Sequence, residues 1–475
     1  MKILYAVSEA APFCKTGGLA DVAGSLPPAL AQGGDSVAVI LPLHAQIGGE
    51  WREKMTFRRY IYVDVGWRHQ YCGLFSMDYQ GVTWYFVDNE YYFRRKGLYA
   101  EHDDGERYAF FCRAVLALLP SLDERPEVIH CNDWQTALIC VYLRDFACRD
   151  ERLRDIRTVF TIHNIAYQGI MGADTVEDVL GLDRGWYEDG TIAMDGAVNL
   201  MKAGLMTAHD ITTVSPTYAH ELHYAYYAHR MESVIARLEG HLTGILNGLD
   251  TESYDPAADA SLPARYAPEN MDGKRGCKEA LQRQLGLAAQ QDTPLIAIVS
   301  RLVEHKGLDL VCAVFDDIMA CDVQLVVLGV GEGTYEDFFR RQQQRYEGRV
   351  AACITHSESL ARQIYGGSDL LLMPSKSEPC GLSQMIAMRY GTVPIVRQTG
   401  GLNDSVQSCQ VGQEGGNGFV FADYNAFDML HVIREAVSLY RNDKQGFSLV
   451  QHRGMTADFG WAVSAEAYRA VYHKQ

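Results

Sequence analysis

Several short stretches of this chain bring cations, carboxylates and paired glycines together. Lys15-Thr16-Gly17-Gly18-Leu19-Ala20-Asp21 follows an apolar run, residues 2–8, and precedes a segment of helical period. Paired glycines let backbone N–H groups approach a ligand closely, and a helix N-terminus favours a negative group. The lysine precedes the glycines, so this is not a Walker-type loop. Residues 299–309 place Arg301 and Lys306 just after another apolar run, at an expected helix start. Two cations there oppose the macrodipole unless an anion lies between them. The pattern reads either as a solvated surface pair or as a diphosphate clamp doing the work a metal does elsewhere.

Residues 370–384 end a third apolar run with Glu378 and Cys380 in a turn ahead of Gly381 and Leu382. Glu378 is either a helix cap or a carboxylate facing a ligand. Thr399, Gly400 and Gly401 form a further glycine turn. Asp133 in His-Cys-Asn-Asp-Trp-Gln and His163, close to Asn164 and Gln168, close two more runs; His163 reads as a satisfied core histidine or as a sugar-hydroxyl contact. Leu-Gly-Val-Gly-Glu-Gly at 328–333 lacks the acidic residue expected about 20 positions on, so it is a weak dinucleotide fingerprint. A nicotinamide oxidoreductase using Gly329, Gly331 and Gly333 is the rival enzyme class.

What must position these loops is an alternation of apolar β-rich runs with segments of helical period. Runs at 2–8, 36–41, 128–131, 157–162 and 210–214 predict one doubly wound parallel sheet, and runs at 295–299, 323–328, 350–354, 370–373 and 393–396 predict a second. Closely spaced runs at 58–65, 71–77 and 82–87 predict hairpin strands inserted in the first. The joint is expected across 245–251, which with the glycines is also the expected hinge. The helical spacing of Trp461, Ala465, Tyr468 and Val471 predicts a terminal helix. Ligands of open α/β sheets bind at the carboxyl ends of strands, so two facing units predict a site in a cleft.

The charge of −17, from 43 Lys+Arg against 60 Asp+Glu, repels nucleic acid and anionic membrane, so any anionic ligand must be gripped locally. The opening apolar run is too short and too soon polar for a secretory signal, and no run approaches a membrane span. The 12 cysteines include no Cys-x-x-Cys pair, which predicts reduced thiols and a cytoplasmic protein. No cluster has zinc spacing and no Asp-x-Asp pair occurs; neither metal nor cofactor is expected. The 27 tyrosines offer many possible stacking platforms.

Lys-Thr-Gly-Gly-Leu-Ala-Asp, Thr-Ile-His-Asn-Ile-Ala-Tyr-Gln-Gly, Val-Ser-Pro-Thr-Tyr, Ile-Leu-Asn-Gly-Leu-Asp, Val-Ser-Arg-Leu with Lys-Gly-Leu-Asp, and Glu-Pro-Cys-Gly-Leu occur in one order and spacing. Together with Arg-Gln-Thr-Gly-Gly-Leu-Asn-Asp, the set resembles bacterial glycogen synthases, relatives of plant starch synthases, nearly end to end. That resemblance implies a retaining glycosyltransferase of two Rossmann-like domains that moves glucose from ADP-glucose to the non-reducing end of an α-1,4-glucan. It implies an acceptor-side domain at 1–246, a nucleotide-sugar domain at 247–460 and a last helix, about 461–475, packed back on the first. Position by position, it puts Lys15 and Gly18 by the phosphates and reacting glucose, and Arg301 and Lys306 on the diphosphate. It puts Glu378, Cys380 and Gly381 at the glucose and His163 on a sugar hydroxyl. The implied substrate-binding set also takes in Gly17, Asp21, Tyr99, Asp133, Asn247, His356, Leu382, Thr399, Gly400 and Gly401.

This chain departs from the family at four places. His356 stands where a tyrosine usually stacks on adenine. The usual Arg-Phe-Glu is Lys376-Ser377-Glu378, and His-Asp-Trp-His is Asn132-Asp133-Trp134-Gln135. The second glutamate of related transferases, eight residues after the first, is Ile386, as it tends to be in this family. With no clear second acid, a same-face displacement is the expected mechanism. A glucan-binding protein without catalysis is the remaining alternative, against which the joint presence of Lys15, Arg301, Lys306 and Glu378 speaks.

Overall fold

Continuous apolar runs such as Leu-Ile-Ala-Ile-Val and Gln-Leu-Val-Val-Leu suit strands covered on both faces, because alternation is needed only where one face meets water. The computed structural model, which describes residues 1–147, 150–238, 240–409 and 415–474, places them so. The chain forms two compact units, Met1–Gly248 with Trp461–Gln475, and Leu249–Gly460.

In the first unit the strands are β1 (Lys2–Ala6), β2 (Ser36–Pro42), β3 (Thr56–Val65), β4 (Arg68–Tyr79), β5 (Val82–Asp88), β6 (Val128–Asn132), β7 (Arg157–Ile162), β8 (Ile170–Met171), β9 (Ala193–Met194), β10 (Ala197–Asn199), β11 (Asp210–Thr213) and β12 (Leu242–Gly244). Nine form one sheet in the order β12-β11-β7-β6-β1-β2-β5-β4-β3, while β8, β10 and β9 form a small separate one that the sequence did not signal. The three expected hairpin strands exist but are not inserted: they extend one edge. β5 runs parallel to β2, and the β5–β4 and β4–β3 pairings are antiparallel, so only β4 runs against the rest of the sheet. Gln80 and Gly81, at φ 52° and 75°, make the tight turn that returns β4 into β5.

The second unit holds β13 (Leu295–Val299), β14 (Gln324–Leu328), β15 (Val350–Cys353), β16 (Leu370–Met373), β17 (Val393–Arg397) and β18 (Phe419–Phe421), in the order β15-β14-β13-β16-β17-β18. All five pairings are parallel. Ile296, Val327, Leu372 and Ile395 pack there with Phe339 and Ile433 from the covering helices. In the first unit, Tyr5, Val39 and Leu41 pack with Leu26, Trp84 and Tyr468.

Tyr468 belongs to the helix Trp461–Tyr472, so the last segment of the chain is core to the first unit. Arg469 of that helix binds Asp35 at 2.6 Å and the Leu30 carbonyl at 2.8 Å, and the Tyr472 hydroxyl meets His130 Nδ1 at 2.8 Å. Among the described residues no helix is long and apolar enough to cross a membrane.

Candidate functional site

Strand order reverses at β1/β6 in the first unit and at β13/β16 in the second, and the loops leaving these strands carry most of the residues singled out above. This is where a doubly wound sheet opens a crevice, because consecutive crossovers leave on opposite faces.

In the first unit, Gly18 opens the helix Gly18–Gln32 and Gly17 precedes it in extended conformation. Lys15 Nζ pairs with Asp21 Oδ1 at 2.6 Å, both partly exposed. The loop is pinned from beneath by Glu9, buried at the end of the β1 segment, whose carboxylate accepts the backbone N–H of Thr16 and its hydroxyl, the latter at 2.8 Å. Burial pushes the Glu9 carboxyl up despite these bonds. The Tyr99 hydroxyl meets Ser8 Oγ at 2.7 Å, which brings Tyr99 to the same strand end.

Across the reversal, β6 ends at Asn132 and Asp133 turns the chain at φ 55°, a left-handed conformation that Asp adopts more readily than most residues. One Asp133 carboxylate oxygen accepts the backbone N–H of His163 at 2.7 Å and of Asn164 at 3.4 Å. Burial nevertheless raises its pKa to about 7. His163 Nε2 lies 2.9 Å from Asn132 Oδ1. The Asn132 amide nitrogen donates to the Ala6 carbonyl at 3.0 Å, so Oδ1 is the acceptor, taking the Tyr5 hydroxyl at 2.9 Å as well. His163 Nε2 therefore donates, and Nδ1 is left as the ring's acceptor. Burial drives the His163 pKa down to about 3, so the ring is neutral. Asn247 stands apart, beyond β12 at the far edge of the sheet; it is buried, and its Oδ1 has no hydrogen-bond partner among the described residues.

In the second unit, Lys306 Nζ binds Glu378 Oε2 at 2.6 Å and the Ser375 hydroxyl donates to the same oxygen at 3.0 Å. The lysine ends a 3-10 turn, Glu304–Lys306, after β13; the glutamate lies in the turn after β16. Glycine makes the approach possible: Gly307 is at φ 72°, and a Cβ there would lie 1.9 Å from the Pro374 carbonyl oxygen. Burial acts to raise the Glu378 pKa, but the Lys306 charge and the bonds from Lys306 and Ser375, with His305 nearby, hold it below the usual range. Glu378 is buried and ionised.

The glycine turn after β17 packs under this carboxylate. Gly401 N–H reaches the Glu378 and Pro379 carbonyls, each at 3.2 Å. A Cβ on Gly400 would meet the Glu378 carbonyl oxygen at 2.0 Å, and one on Gly401 the Cys380 oxygen at 2.2 Å. Thr399 is buried ahead of them. Gly381, at φ 72°, and Leu382 lead into the helix Ser383–Arg389, in which Ile386 is a buried apolar residue. Arg301 is exposed on the loop after β13. His356 is exposed after β15, two strands from β13.

Gly329 and Gly331 have a local purpose: Cβ atoms there would lie 1.9 and 2.1 Å from the Ser300 and Leu302 carbonyl oxygens. They let the β14 loop lie against the Arg301 loop. Among the described residues no His, Cys, Asp and Glu group could hold a metal. Sequence reasoning missed Glu9, Asn132 as a partner of His163, and Ser375. Ser375 lies three positions before Glu378 in the 370–384 segment, but Glu9 carried no signal beyond its place at the end of an apolar run.

A family model of the starch synthase catalytic domain matches residues 2–237, and one of group 1 glycosyl transferases matches residues 283–445. The chain is 49% identical over 474 residues to the glycogen synthase of Geobacillus thermodenitrificans (strain NG80-2), covering 100% of this chain and 98% of that protein. It is 44% identical over 472 residues to the glycogen synthase of Bacillus anthracis, covering 99% of each. Among solved structures it matches the catalytic domain of starch synthase IV from Arabidopsis thaliana, bound to ADP and acarbose, with a TM-score of 0.92 at 32% identity, covering 99% of this chain and 98% of that one.

Proposed function

This chain belongs to the glycogen synthase family of glycosyltransferases, and from that premise we propose that its donor is ADP-glucose, its acceptor the non-reducing end of an α-1,4-glucan and its place the cytoplasm. The observation that carries the reading is the pair of half-buried Lys306 with buried Glu378, 2.6 Å long, where strand order reverses.

The reaction separates charge: positive on the sugar, negative on the departing diphosphate. Glu378, kept ionised by Lys306, suits the sugar side. A lysine ammonium has three donors, so Lys306 can hold Glu378 with one and turn others to phosphate oxygen, with Arg301, Lys15 and the Gly17–Gly18 backbone as further proposed phosphate contacts. Such fixed donors cost no reorganisation when charge develops. His163 presents Nδ1 as an acceptor for a sugar hydroxyl.

Eight residues after Glu378, where related transferases carry a second glutamate, this chain has the buried apolar Ile386. We therefore assign a same-face displacement: the bond from the anomeric carbon to the phosphate oxygen breaks, the acceptor oxygen bonds that carbon from the same side, and the acceptor proton leaves with the diphosphate. Configuration is retained.

The test is to incubate the protein with glycogen and either ADP-glucose or UDP-glucose, following nucleoside diphosphate release and glucose incorporation. ADP release matched by incorporation, faster than with the uridine donor, is expected. Hydrolysis without incorporation, or no release from either donor, overturns the proposal.

A further inference from the structure

Lys274, on the helix Asp272–Gln284 of the second unit, is buried, and no carboxylate pairs with it among the described residues. Its Nζ lies within hydrogen-bond distance of four oxygens: the carbonyls of Tyr365, Gly366 and Tyr390 at 3.3, 3.2 and 2.7 Å, and the Thr392 hydroxyl at 2.8 Å. Asp369, the carboxylate whose charge bears on it, bonds the neighbouring Lys278 at 2.6 Å instead. Burial lowers the Lys274 pKa to about 7 against that attraction. Its charge is therefore held chiefly by oxygen dipoles, with the Tyr266 ring 5.7 Å away. Carbonyl oxygens hold a potassium ion in the same way in a selectivity filter, and ammonium is close to potassium in size.

Two of these carbonyls lie in the last turn of the helix Glu358–Gly367, and Tyr390 follows the helix Ser383–Arg389, so two negative helix ends converge on the ammonium. Each carbonyl also has a second donor. The Thr392 hydroxyl reaches the Tyr365 carbonyl at 2.6 Å, and the Tyr266 hydroxyl reaches those of Gly366 and Tyr390 at 3.3 and 2.9 Å. Loss of the lysine would therefore orphan none of them. Tyr390, Gly391 and Thr392 form the turn from the helix Ser383–Arg389 into β17, with Gly391 at φ 65°. Both elements that meet at this turn lead to Glu378. The helix runs back through Leu382 and Gly381 to the Glu378 turn, and β17 runs on to Thr399, Gly400 and Gly401, which pack beneath it.

We propose that Lys274 is a positioning residue for Glu378: a tethered cation, seated in a four-oxygen site that suits a free ammonium or potassium ion, fixing the turn from which both supports of Glu378 depart. The proposal rests on the transferase reading for the role of Glu378, but not for the cation site itself. A side chain needed only to fill space would not carry this charge. Desolvating an ammonium that has no carboxylate is costly, and methionine, of similar length, would avoid that cost. What the charge supplies is a centre that draws four oxygens from two helix ends and a strand start to one point. Small displacements of a reacting group lower rate steeply, so that fixing reaches the chemistry.

The experiment compares the full chain with Lys274→Ala, which opens the site, and Lys274→Met, which fills it without charge. Each is melted, and assayed for glucose transfer from ADP-glucose to glycogen, in sodium, potassium and ammonium chloride at one ionic strength. In sodium both variants should lose about tenfold or more in kcat, with KM for ADP-glucose little changed. Potassium or ammonium should raise the melting temperature of Lys274→Ala and restore most of its turnover, and do neither for Lys274→Met. Either variant at the parental kcat in sodium overturns the proposal. So does a folded Lys274→Ala whose turnover neither cation raises. Should Lys274→Ala be unfolded in sodium, folding in potassium or ammonium upholds the site, and remaining unfolded in all three salts overturns it. A parent that transfers no glucose, beside a Lys274→Ala variant stabilised by either cation, upholds the site and refutes the transferase reading. A parent that transfers glucose beside variants that no cation affects overturns the site alone.

Discussion

In the first unit, Asp133, buried where strand order reverses, and His163, half-buried one strand further on, have backbone N–H groups and an amide for company. Where it reverses in the second, Glu378 is buried beside an ammonium. Burial dominates in the first: it pushes Asp133 up to about 7 and His163 down to about 3, so both favour their neutral forms below pH 7. In the second, Lys306 and the hydrogen bonds outweigh burial and keep Glu378 ionised. Desolvating an ion costs several kcal/mol, and only an opposite charge in good geometry offsets that. The same architecture thus yields one neutral corner and one charged corner. The difference lies in whether a cation is delivered within about 3 Å.

The sharpest way to break this contrast is to remove the cation. Lys306→Ala should lower turnover by about 100–1,000-fold and also destabilise the second unit, because Glu378 is left buried without its ammonium partner. Adding Glu378→Gln should recover melting temperature without recovering turnover. A Lys306→Ala enzyme of near-normal turnover ends the assignment.

The next test is acid. His44 and His130 in the first unit are fully buried, and burial lowers them to about 4 and about 3 from an ordinary 6.5. A histidine depressed in the folded state contributes stability that is complete above pH 6.5. That contribution is lost as pH falls towards the folded value, by about 1.4 kcal/mol for each pH unit crossed. The depressed Glu378 loses its contribution only as pH falls below its ordinary 4.5. Between pH 6.5 and 4.5 the first unit should therefore weaken first. All six tryptophans, Trp51, Trp67, Trp84, Trp134, Trp186 and Trp461, lie in that unit. Thermal melts followed by tryptophan emission should move downward across this window; emission melts unchanged to pH 4.5 would contradict the burial argument.

A smaller effect of opposite sign belongs to Asp133. A carboxyl raised in the folded state is stabilised at low pH and loses that advantage as pH rises through 7. Asp133→Asn, which tolerates the left-handed turn, should match the parent near pH 4. It should be more stable at pH 8 by up to a few kcal/mol, read from denaturation midpoints at the two pH values. The smallest stability change is expected for Lys15→Ala. Its pair with Asp21 is partly exposed, and such pairs contribute about 0–1 kcal/mol. Turnover should nonetheless fall if Lys15 meets the phosphates. Unchanged turnover would confine its role to the pair.

The strands were legible because their signal is local: Leu-Ile-Ala-Ile-Val and Leu-Val-Val-Leu are apolar throughout and bounded by turns. The β3–β5 runs were legible as strands but misplaced, because local alternation does not say which neighbour a strand will find, and β5 pairs with β2 from over 40 positions away. Glu378 and Lys306 were each visible as residues able to do chemistry. Their bond was not, since 72 positions separate them. Glu9 and Ser375 went unread for the same reason, as supports defined by what folds against them. The Gly329–Gly331 pair carried a misleading signal. Its spacing allows phosphate binding in another context, whereas here it admits the Ser300 and Leu302 carbonyls.

By itself the sequence determined two parallel sheets, the strand ends that carry polar loops, and the glycines that let those loops crowd together, because each follows from period, turn chemistry or missing Cβ atoms along a few consecutive residues. Tertiary structure alone decided that Lys306 meets Glu378 while Asp133 meets no cation among the described residues, and that Tyr60, Tyr62 and Tyr71 form one row. Protonation and stacking depend on groups arriving within a few ångströms from distant parts of the chain, and no local pattern encodes that meeting.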